Sequence, residues 1–245
     1  MNHTFQTPYF AQVYKLLQKI EQTQSPRIEQ AAQKVAHSLT QDGILHTFGC
    51  GHSSSVAIDA FHRSGCFAAI DAILDPGLMF QLGAHTGTAL ERLEGYAPTI
   101  LKKHHFNPQD ILFVVSNSGK NPAGIETVLY AQKYGTTTIA ITAASAHQNS
   151  SSRHSSGKLL KDVADIVIDN TCSANETALE IDTTQLAPVS TIAGIAIFQS
   201  ILFRAAEILS AQKEPLLIYQ SSNNGADKHN TLLAQKYTGR IKHLD

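Results

Sequence analysis

The segment ILFVVS, residues 111–116, constrains the fold of this chain more than any other. Its run of large apolar residues with high β propensity predicts a strand that is buried on both faces, as a central strand of a parallel sheet is. A helix-like run over 122–134 follows directly, and strand–helix pairs of this kind recur along the chain. The alternation predicts an α/β sandwich, in which helices cover both faces of a parallel sheet.

The same patterns predict the other elements of the sandwich. Apolar residues at helical spacing predict helices over 9–22 and 26–39, and Ser25-Pro26 is the predicted start of the second. The other predicted strands are 44–48, 68–71, 137–142, 165–170 and 215–222. The other predicted helices are 54–64, 91–104, 189–210 and 228–241, and 74–90 is expected to be loop with a short helix.

Composition limits the classes of partner that the chain can have. Its 245 residues have no domain-scale linker, so we expect a single domain, with N-terminal helices over about 9–40 and a C-terminal strand–helix extension over about 215–245. A net charge of −1 gives no electrostatic reason for a nucleic-acid or membrane partner. We also expect no metal, cofactor or disulfide, because the three cysteines form no CxxC, and a cytoplasmic location.

Three loops are predicted to lie at one edge of the sheet. In open parallel sheets, ligands bind beyond the carboxyl ends of the strands. The loops that follow predicted strands at that edge are 49–55, 116–122 and the serine-rich 143–157. Any small-molecule site is therefore expected among these three segments.

The first loop, GCGHSSS over 49–55, has the composition of an anion-binding turn. Gly51 allows close approach of the backbone to a ligand, and Ser53 and Ser54 add hydroxyl donors at the start of a helix. His52 lies inside this turn, where a surface histidine has no structural purpose. A third glycine near Ser54 is missing, which argues against a dinucleotide fingerprint, and no GKS or GKT marks a P-loop.

The second loop repeats this chemistry after the strand 111–116. Its candidate phosphate ligands are Ser116, Asn117, Ser118, Gly119 and Asn121. One serine or asparagine would suffice to cap the helix that begins at Pro122. The surplus of donors predicts that the two loops together bind a phosphate group.

Several motifs resemble those of a known family. They are FGCGHS (48–53), LERLEGYA (90–97), SNSGKNP (116–122), SRHSSGK (152–158), ADIVIDN (164–170), PVSTIAGIAIFQSIL (188–202) and GADKHN (225–230). Together they resemble the SIS (sugar isomerase) domain, and most closely the UPF0309 proteins, over nearly the whole chain. Asn121 stands where the SIS pattern usually has threonine, and Glu126 comes later than its usual glutamate.

The resemblance implies a flavodoxin-like fold, sugar-phosphate binding and a homodimer or higher homo-oligomer. It does not name a reaction. The phosphoheptose isomerase branch places a histidine and a glutamate on the first helix, where this chain has Asp59 and Arg63. Because arginine is neither a metal ligand nor a base, the metal-dependent mechanism of that branch is not expected here.

An aldose–ketose isomerisation through an enediol would need a base and an acid near the sugar carbons. The first candidates for these roles are Glu91, His52 and His229, with Glu94 and Glu126 as further carboxylates, and His154 is a candidate phosphate ligand. Each has an ordinary alternative: Glu91 as an exposed helix residue, His154 as a solvated loop residue and His229 as part of a helix start.

Other functions remain open at the level of the sequence. A sugar-phosphate lyase or etherase would use similar proton transfer, and a non-catalytic module could sense a sugar phosphate. A Rossmann-like protein with an unrelated anionic ligand is a further alternative.

Overall fold

Five parallel strands form the central sheet in the computed structural model, which describes residues 7–244. They are β1 (Leu45–Gly49), β2 (Ile70–Ala72), β3 (Ile111–Val115), β4 (Thr137–Thr142) and β5 (Ile166–Asp169). Their order in space is β2-β1-β3-β4-β5, the order of flavodoxin-like sheets. The predicted α/β fold with a parallel sheet is confirmed.

Eight α-helices accompany the strands in the part of the chain that the structure describes. They are α1 (Pro8–Thr40), α2 (Ser54–Ala60), α3 (Ala84–Glu91), α4 (Tyr96–Leu101), α5 (Pro122–Gln132), α6 (Leu160–Val163), α7 (Ser190–Ala211) and α8 (Asp227–Tyr237). An antiparallel hairpin of β6 (Thr177–Ile181) and β7 (Thr184–Pro188) stands apart from the sheet.

Alternate residues of the strands face opposite helical layers. On β3, Ile111 and Phe113 pack in the layer that contains α1, α2 and α7, whereas Leu112 and Val114 pack in the layer that contains α4 and α5. Phe113 meets Phe198 of α7 edge to face, with 4.8 Å between ring centroids. A central strand that is apolar on both faces is therefore the consequence of two helical layers.

The helix α7 is long and apolar enough to span a membrane by length and composition. Here it packs against α1 in the core on one face of the sheet, and Ala193, Ile197, Ile201 and Ala205 on it are buried. This packed face accounts for much of its apolar character.

The N-terminal region is one helix and not two. The predicted break at Ser25-Pro26 is wrong, because α1 continues through Pro26 to Thr40. The buried face continues across the proline, from Ile20 to Ala31 and Val35, and packs against α7 and the sheet. Tertiary burial therefore outweighs the loss of one backbone hydrogen bond at the proline.

We expect Pro26→Ala to stabilise the protein by about 1–2 kcal/mol. An interior proline costs a helix roughly 3 kcal/mol, and part of this is offset by its restriction of the unfolded chain. Urea unfolding of the variant would measure the change. Gln22→Ala, at an exposed position of the same helix, is the control and should change stability by less than about 0.5 kcal/mol. A less stable Pro26→Ala variant would show that the packing needs the proline.

Two other predicted elements are wrong in detail. The helix predicted over 91–104 is divided, because Gly95 takes a left-handed conformation (φ 83°) between α3 and α4. The strand predicted over 215–222 does not form. That segment makes a single antiparallel bridge, Ile218 to Phe67, and so runs along the residues before β2 without joining the sheet.

Candidate functional site

A cavity of about 220 Å³ lies at the carboxyl edge of the sheet, where β1 and β3 end. The predicted site residues that line it are Gly51, His52, Ser53, Glu91, Ser116, Asn117, Ser118 and Asn121. Cys50, Leu78, Phe80, Gly87, Thr88 and Glu176 complete the wall. The structure thus brings the two donor-rich loops together in one concave surface.

The first loop is held in place by hydrogen bonds between backbone groups. The Gly51 amide donates to the Leu78 carbonyl (2.8 Å), and the Ser53 amide donates to the Cys50 carbonyl (3.0 Å). The Ser54 hydroxyl donates to the Gly51 carbonyl at 2.7 Å and is not part of the cavity wall. Ser54 therefore shapes the turn from behind, while Ser53 lines the cavity.

The second loop closes on itself in a similar way. The Gly119 amide donates to the Ser116 hydroxyl (3.2 Å), and Gly119 has a positive φ of 60°. Asn117 is anchored to the sheet edge, because its side-chain oxygen accepts a hydrogen bond from Asn170 (2.8 Å). Within residues 7–244, the Ser118 hydroxyl forms no hydrogen bond, so it is available to a ligand in the cavity.

A polar chain fixes the carboxylate of Glu91 at the cavity. The Asn121 side-chain amide donates to Glu91 Oε1 at 2.6 Å, and Arg153 donates to Asn121 Oδ1 at 2.7 Å. Arg153 belongs to the serine-rich loop, and its amide donates to the Lys120 carbonyl (2.9 Å). Glu91 Oε1 is thus occupied, and its other oxygen is left for a ligand.

Glu176 is a second carboxylate on the cavity wall, and it was not among the predicted site residues. It directly precedes β6, with an unusual positive φ of 66°, and its Oε2 accepts a hydrogen bond from the Ser190 hydroxyl (2.8 Å). Because the hairpin that it begins is short and half-exposed, its sequence has little periodicity. The signal that could have found Glu176 is its position after β5, at the same edge of the sheet.

His52 lines the cavity and packs on Phe80. The two ring centroids are 4.9 Å apart and the rings are arranged edge to face. The aromatic contact limits the imidazole to one region of the wall, next to Ser53.

Comparison with known proteins identifies the family. Residues 8–143 match the SIS domain family. A UPF0309 protein of Thermoanaerobacter pseudethanolicus is 37% identical over 243 residues, which are 96% of this chain and 98% of the relative. The chain belongs to the UPF0309 group of SIS domain proteins. A UPF0309 protein of Listeria monocytogenes is also similar, at 38% identity over 93% of both chains.

The fold of this SIS domain is also found among solved structures. The structure of phosphoheptose isomerase from Neisseria gonorrhoeae matches with a TM-score of 0.56 and 18% sequence identity, over 81% of this chain and 95% of that one. Identity this low shows a common fold. The resemblance to SIS domains and to UPF0309 proteins that the motifs indicated is confirmed.

Two of the predicted histidines lie outside the cavity wall of the SIS domain. His154 Nδ1 is 2.7 Å from the Ser156 hydroxyl, and its Nε2 is 4.0 Å from Glu126. His229 is on α8, where its Nε2 donates to the Ile218 carbonyl at 3.0 Å. Roles for them at the site remain predictions, and neither lines the cavity of a single chain.

Asp59 and Arg63, the residues that differ from the phosphoheptose isomerase pattern, also lie outside the cavity wall. They pair with each other, and Asp59 Oδ2 accepts a hydrogen bond from Gln199 of α7 at 2.8 Å. Their contacts are those of an ion pair that joins α2 to α7.

We expect Cys50 to react slowly with iodoacetamide at pH 8. Burial raises the pKa of its thiol well above the usual range, and the charges of Glu91 and Asp75 raise it further. Since the thiolate is the nucleophile, alkylation should be at least ~10-fold slower than that of a free cysteine. Peptide mass spectrometry over time measures the rate, and the unfolded chain in guanidinium is the control. Reaction at the rate of the unfolded chain would contradict the prediction.

Proposed function

We propose that this SIS domain binds a sugar phosphate in the cavity and isomerises it between aldose and ketose forms. The observation that supports the proposal most is that one cavity contains both donor-rich loops and two carboxylates, Glu91 and Glu176. The loops would hold the phosphate, and the carboxylates would face the sugar.

Neutral donors are the natural phosphate ligands at this site. Within the described chain, no lysine or arginine lines the cavity, so backbone amides and the hydroxyls of Ser53 and Ser118 would carry the anion. The amino end of α5 follows Asn121 and adds the positive end of its helix dipole. Glu91 and Glu176 would repel the phosphate from their part of the cavity, which gives the ligand one orientation.

Glu91 is the proposed base of the reaction. A base must take the proton from the carbon next to the carbonyl and return it to the neighbouring carbon. The hydrogen bond from Asn121 fixes Glu91 and leaves one oxygen available for this transfer. His52 is the proposed acid at the carbonyl oxygen, because it lies in the same wall and its Nε2 or Nδ1 can donate.

Thermal unfolding with a panel of ligands tests the binding half of this proposal. Sugar phosphates should raise the melting temperature, whereas free sugars and nucleotides should not. A ligand at 100 times its Kd adds about 2.7 kcal/mol to stability. Ser118→Ala should reduce the shift, because it removes a donor to the phosphate. Ser151→Ala, at an exposed position of the serine-rich loop, is the matched control and should keep it.

The outcomes of this panel distinguish the alternatives. Stabilisation by nucleotides alone would overturn the sugar-phosphate proposal and favour an unrelated anion. Tight binding of a sugar phosphate without any turnover would overturn the isomerase and leave a sensing module. Turnover with loss of a leaving group would assign a lyase or etherase.

We also propose that the protein acts as a homo-oligomer in the cytoplasm. The exposed aromatic residues Phe10 and Tyr14 of α1 and Phe203 of α7 support the first part, since each is more than half exposed in a single chain. Light scattering after gel filtration would measure the mass, and a monomer would contradict the proposal.

A further inference from the structure

A buried cluster of histidine and aspartate side chains lies toward the amino ends of the strands, whereas the cavity lies at their carboxyl ends. His46 of β1 and Asp71 of β2 are register partners, and Asp110 directly precedes β3. The loop after α4 adds His104. All four side chains are at most 1% exposed.

Asp71 is the centre of this cluster. Its Oδ2 lies 2.9 Å from His46 Nδ1 and 2.7 Å from His104 Nδ1. Its Oδ1 is buried and has no hydrogen-bond partner within residues 7–244. Burial raises the pKa of Asp71, but hydrogen bonds from His104 and His46 outweigh this and hold it below its usual range.

Asp110 lies on the other side of His46. Asp110 Oδ2 is 3.5 Å from His46 Nε2 and accepts a hydrogen bond from the Asn107 amide (2.7 Å), while its Oδ1 accepts one from the Ile44 amide (2.8 Å). His46 Nε2 makes no hydrogen bond within the described residues, and a metal ion in place of the Nδ1 proton would leave Nε2–H facing Asp110. A carboxylate that holds one ring nitrogen while the other binds is the usual arrangement around metal-ligating histidines.

The two acidic side chains of the cluster have no basic side chain beside them. Asp71 and Asp110 are buried, and in the described part of the chain neither pairs with a lysine or arginine. Buried charges must be compensated, because desolvation costs several kcal/mol per ion. Either protons on the two imidazoles or one divalent cation would balance the two carboxylates.

We propose that His46 Nδ1, His104 Nδ1 and Asp71 bind one divalent transition-metal ion, of which Zn²⁺ is the best match. Their ligand atoms all lie within 4.8 Å of one another. Two imidazoles and a carboxylate form a common zinc ligand set, with bonds of roughly 2.0–2.2 Å. A tetrahedral ion separates its ligand atoms by about 3.4 Å, so Asp71 Oδ2, now 2.9 and 2.7 Å from the two imidazole nitrogens, would move roughly 0.5–0.7 Å away from each.

A third imidazole lies beside this set. The ring centroid of His243, in the C-terminal turn Lys242–Leu244, is 6.2 Å from that of His104, and within the described residues its buried Nε2 has no partner. The ion would therefore connect β1, β2 and the loop after α4 underneath the C-terminal turn. Its role would be structural, since the cluster is at the opposite end of the strands from the cavity.

Metal titration of the full chain tests the site. After treatment with EDTA and its removal, Zn²⁺ should bind with one ion per chain, and Co²⁺ should give the visible absorption of a tetrahedral complex. Calorimetry in two buffers of different ionisation enthalpy should show proton release, because the metal replaces protons on the imidazoles. Thermal unfolding should shift upward with Zn²⁺ in the absence of any sugar phosphate.

Variants distinguish this site from surface binding by the other histidines. His104→Asn should weaken Zn²⁺ binding about 100-fold or more, and Asp110→Asn about 10- to 100-fold. His105→Asn, the exposed neighbour, is the matched control and should bind like the parent chain. Circular dichroism verifies that each variant is folded. An absence of Zn²⁺ binding by the folded parent chain, or equal losses in His104→Asn and His105→Asn, would overturn the proposal.

Discussion

Glu91→Gln is expected to reduce turnover of the sugar phosphate by about 10²- to 10⁴-fold, which is the usual contribution of a general base. The substitution removes the proton acceptor and keeps the shape of the side chain. The amide oxygen of the new side chain can still accept the hydrogen bond from Asn121 that Glu91 accepts now, so the cavity should keep its form. Affinity for the ligand should therefore change by only a few-fold.

Exchange of the sugar C2 proton with deuterated solvent measures the proposed step directly. The parent chain should exchange this proton, and the Glu91→Gln variant should exchange it much more slowly. Glu94→Gln is the matched control, because its carboxylate lies outside the cavity and accepts hydrogen bonds from Ser155. If Glu176→Gln stopped the exchange and Glu91→Gln did not, the assignment of the base to Glu91 would be wrong.

Gly49→Ala is expected to damage both the fold and ligand binding. Gly49 is the last residue of β1, and a Cβ there would lie 2.4 Å from the Ser53 carbonyl oxygen and 2.9 Å from the Ser54 amide nitrogen. These are backbone atoms of the first loop and cannot rotate away. We expect a loss of about 1–3 kcal/mol of stability, as for an overpacked core.

The displaced loop should also weaken binding of a sugar phosphate by at least ~10-fold. A loss of about 1.4 kcal/mol in binding free energy, roughly one hydrogen bond to the phosphate, corresponds to that factor. Urea unfolding and ligand-dependent melting would measure the two effects. Gly124→Ala in α5 is the matched control, because its Cβ would make only ordinary contacts, 3.6 Å from Val114 Cγ1. That variant should be more stable by up to about 1 kcal/mol, from its helix propensity. Equal stability and affinity of Gly49→Ala and the parent chain would contradict the prediction.

The sequence predicted the sheet well because burial on two sides leaves a strong pattern. The segments that became β3 and β4 are apolar runs, and the helices after β1 and β3 follow loops with clear helix-start chemistry. Predictions failed where a distant contact decides the outcome. Pro26 lies within α1 because α7 and the sheet cover its neighbours, and the segment 215–222 pairs only with the residues before β2, through one bridge.

The candidate site, like the fold, has parts that local sequence patterns predict and parts that depend on distant contacts. The two donor-rich loops were predictable, because each follows a strand that the sequence shows and the edge rule places them together. The hydrogen bond from Asn121 to Glu91 joins residues 30 positions apart and depends on how α3 packs beside α5. Glu176 reaches the cavity through the path of the chain after β5, so only its position beyond the carboxyl end of that strand could have indicated it.

Because Glu176 directly precedes the β6–β7 hairpin, the cavity wall has two parts: one built into the sheet and one carried by the hairpin. The loops at the ends of β1 and β3 are built into the sheet, so their geometry cannot vary without disturbing the core. The hairpin pairs with itself and is not part of the sheet, and it rests on α1 with Ala178 against the core. Under the proposed function, changes to the exposed part of the hairpin would alter the surroundings of Glu176 and of the sugar while the two loops still held the phosphate. A designer could change that part to the same effect.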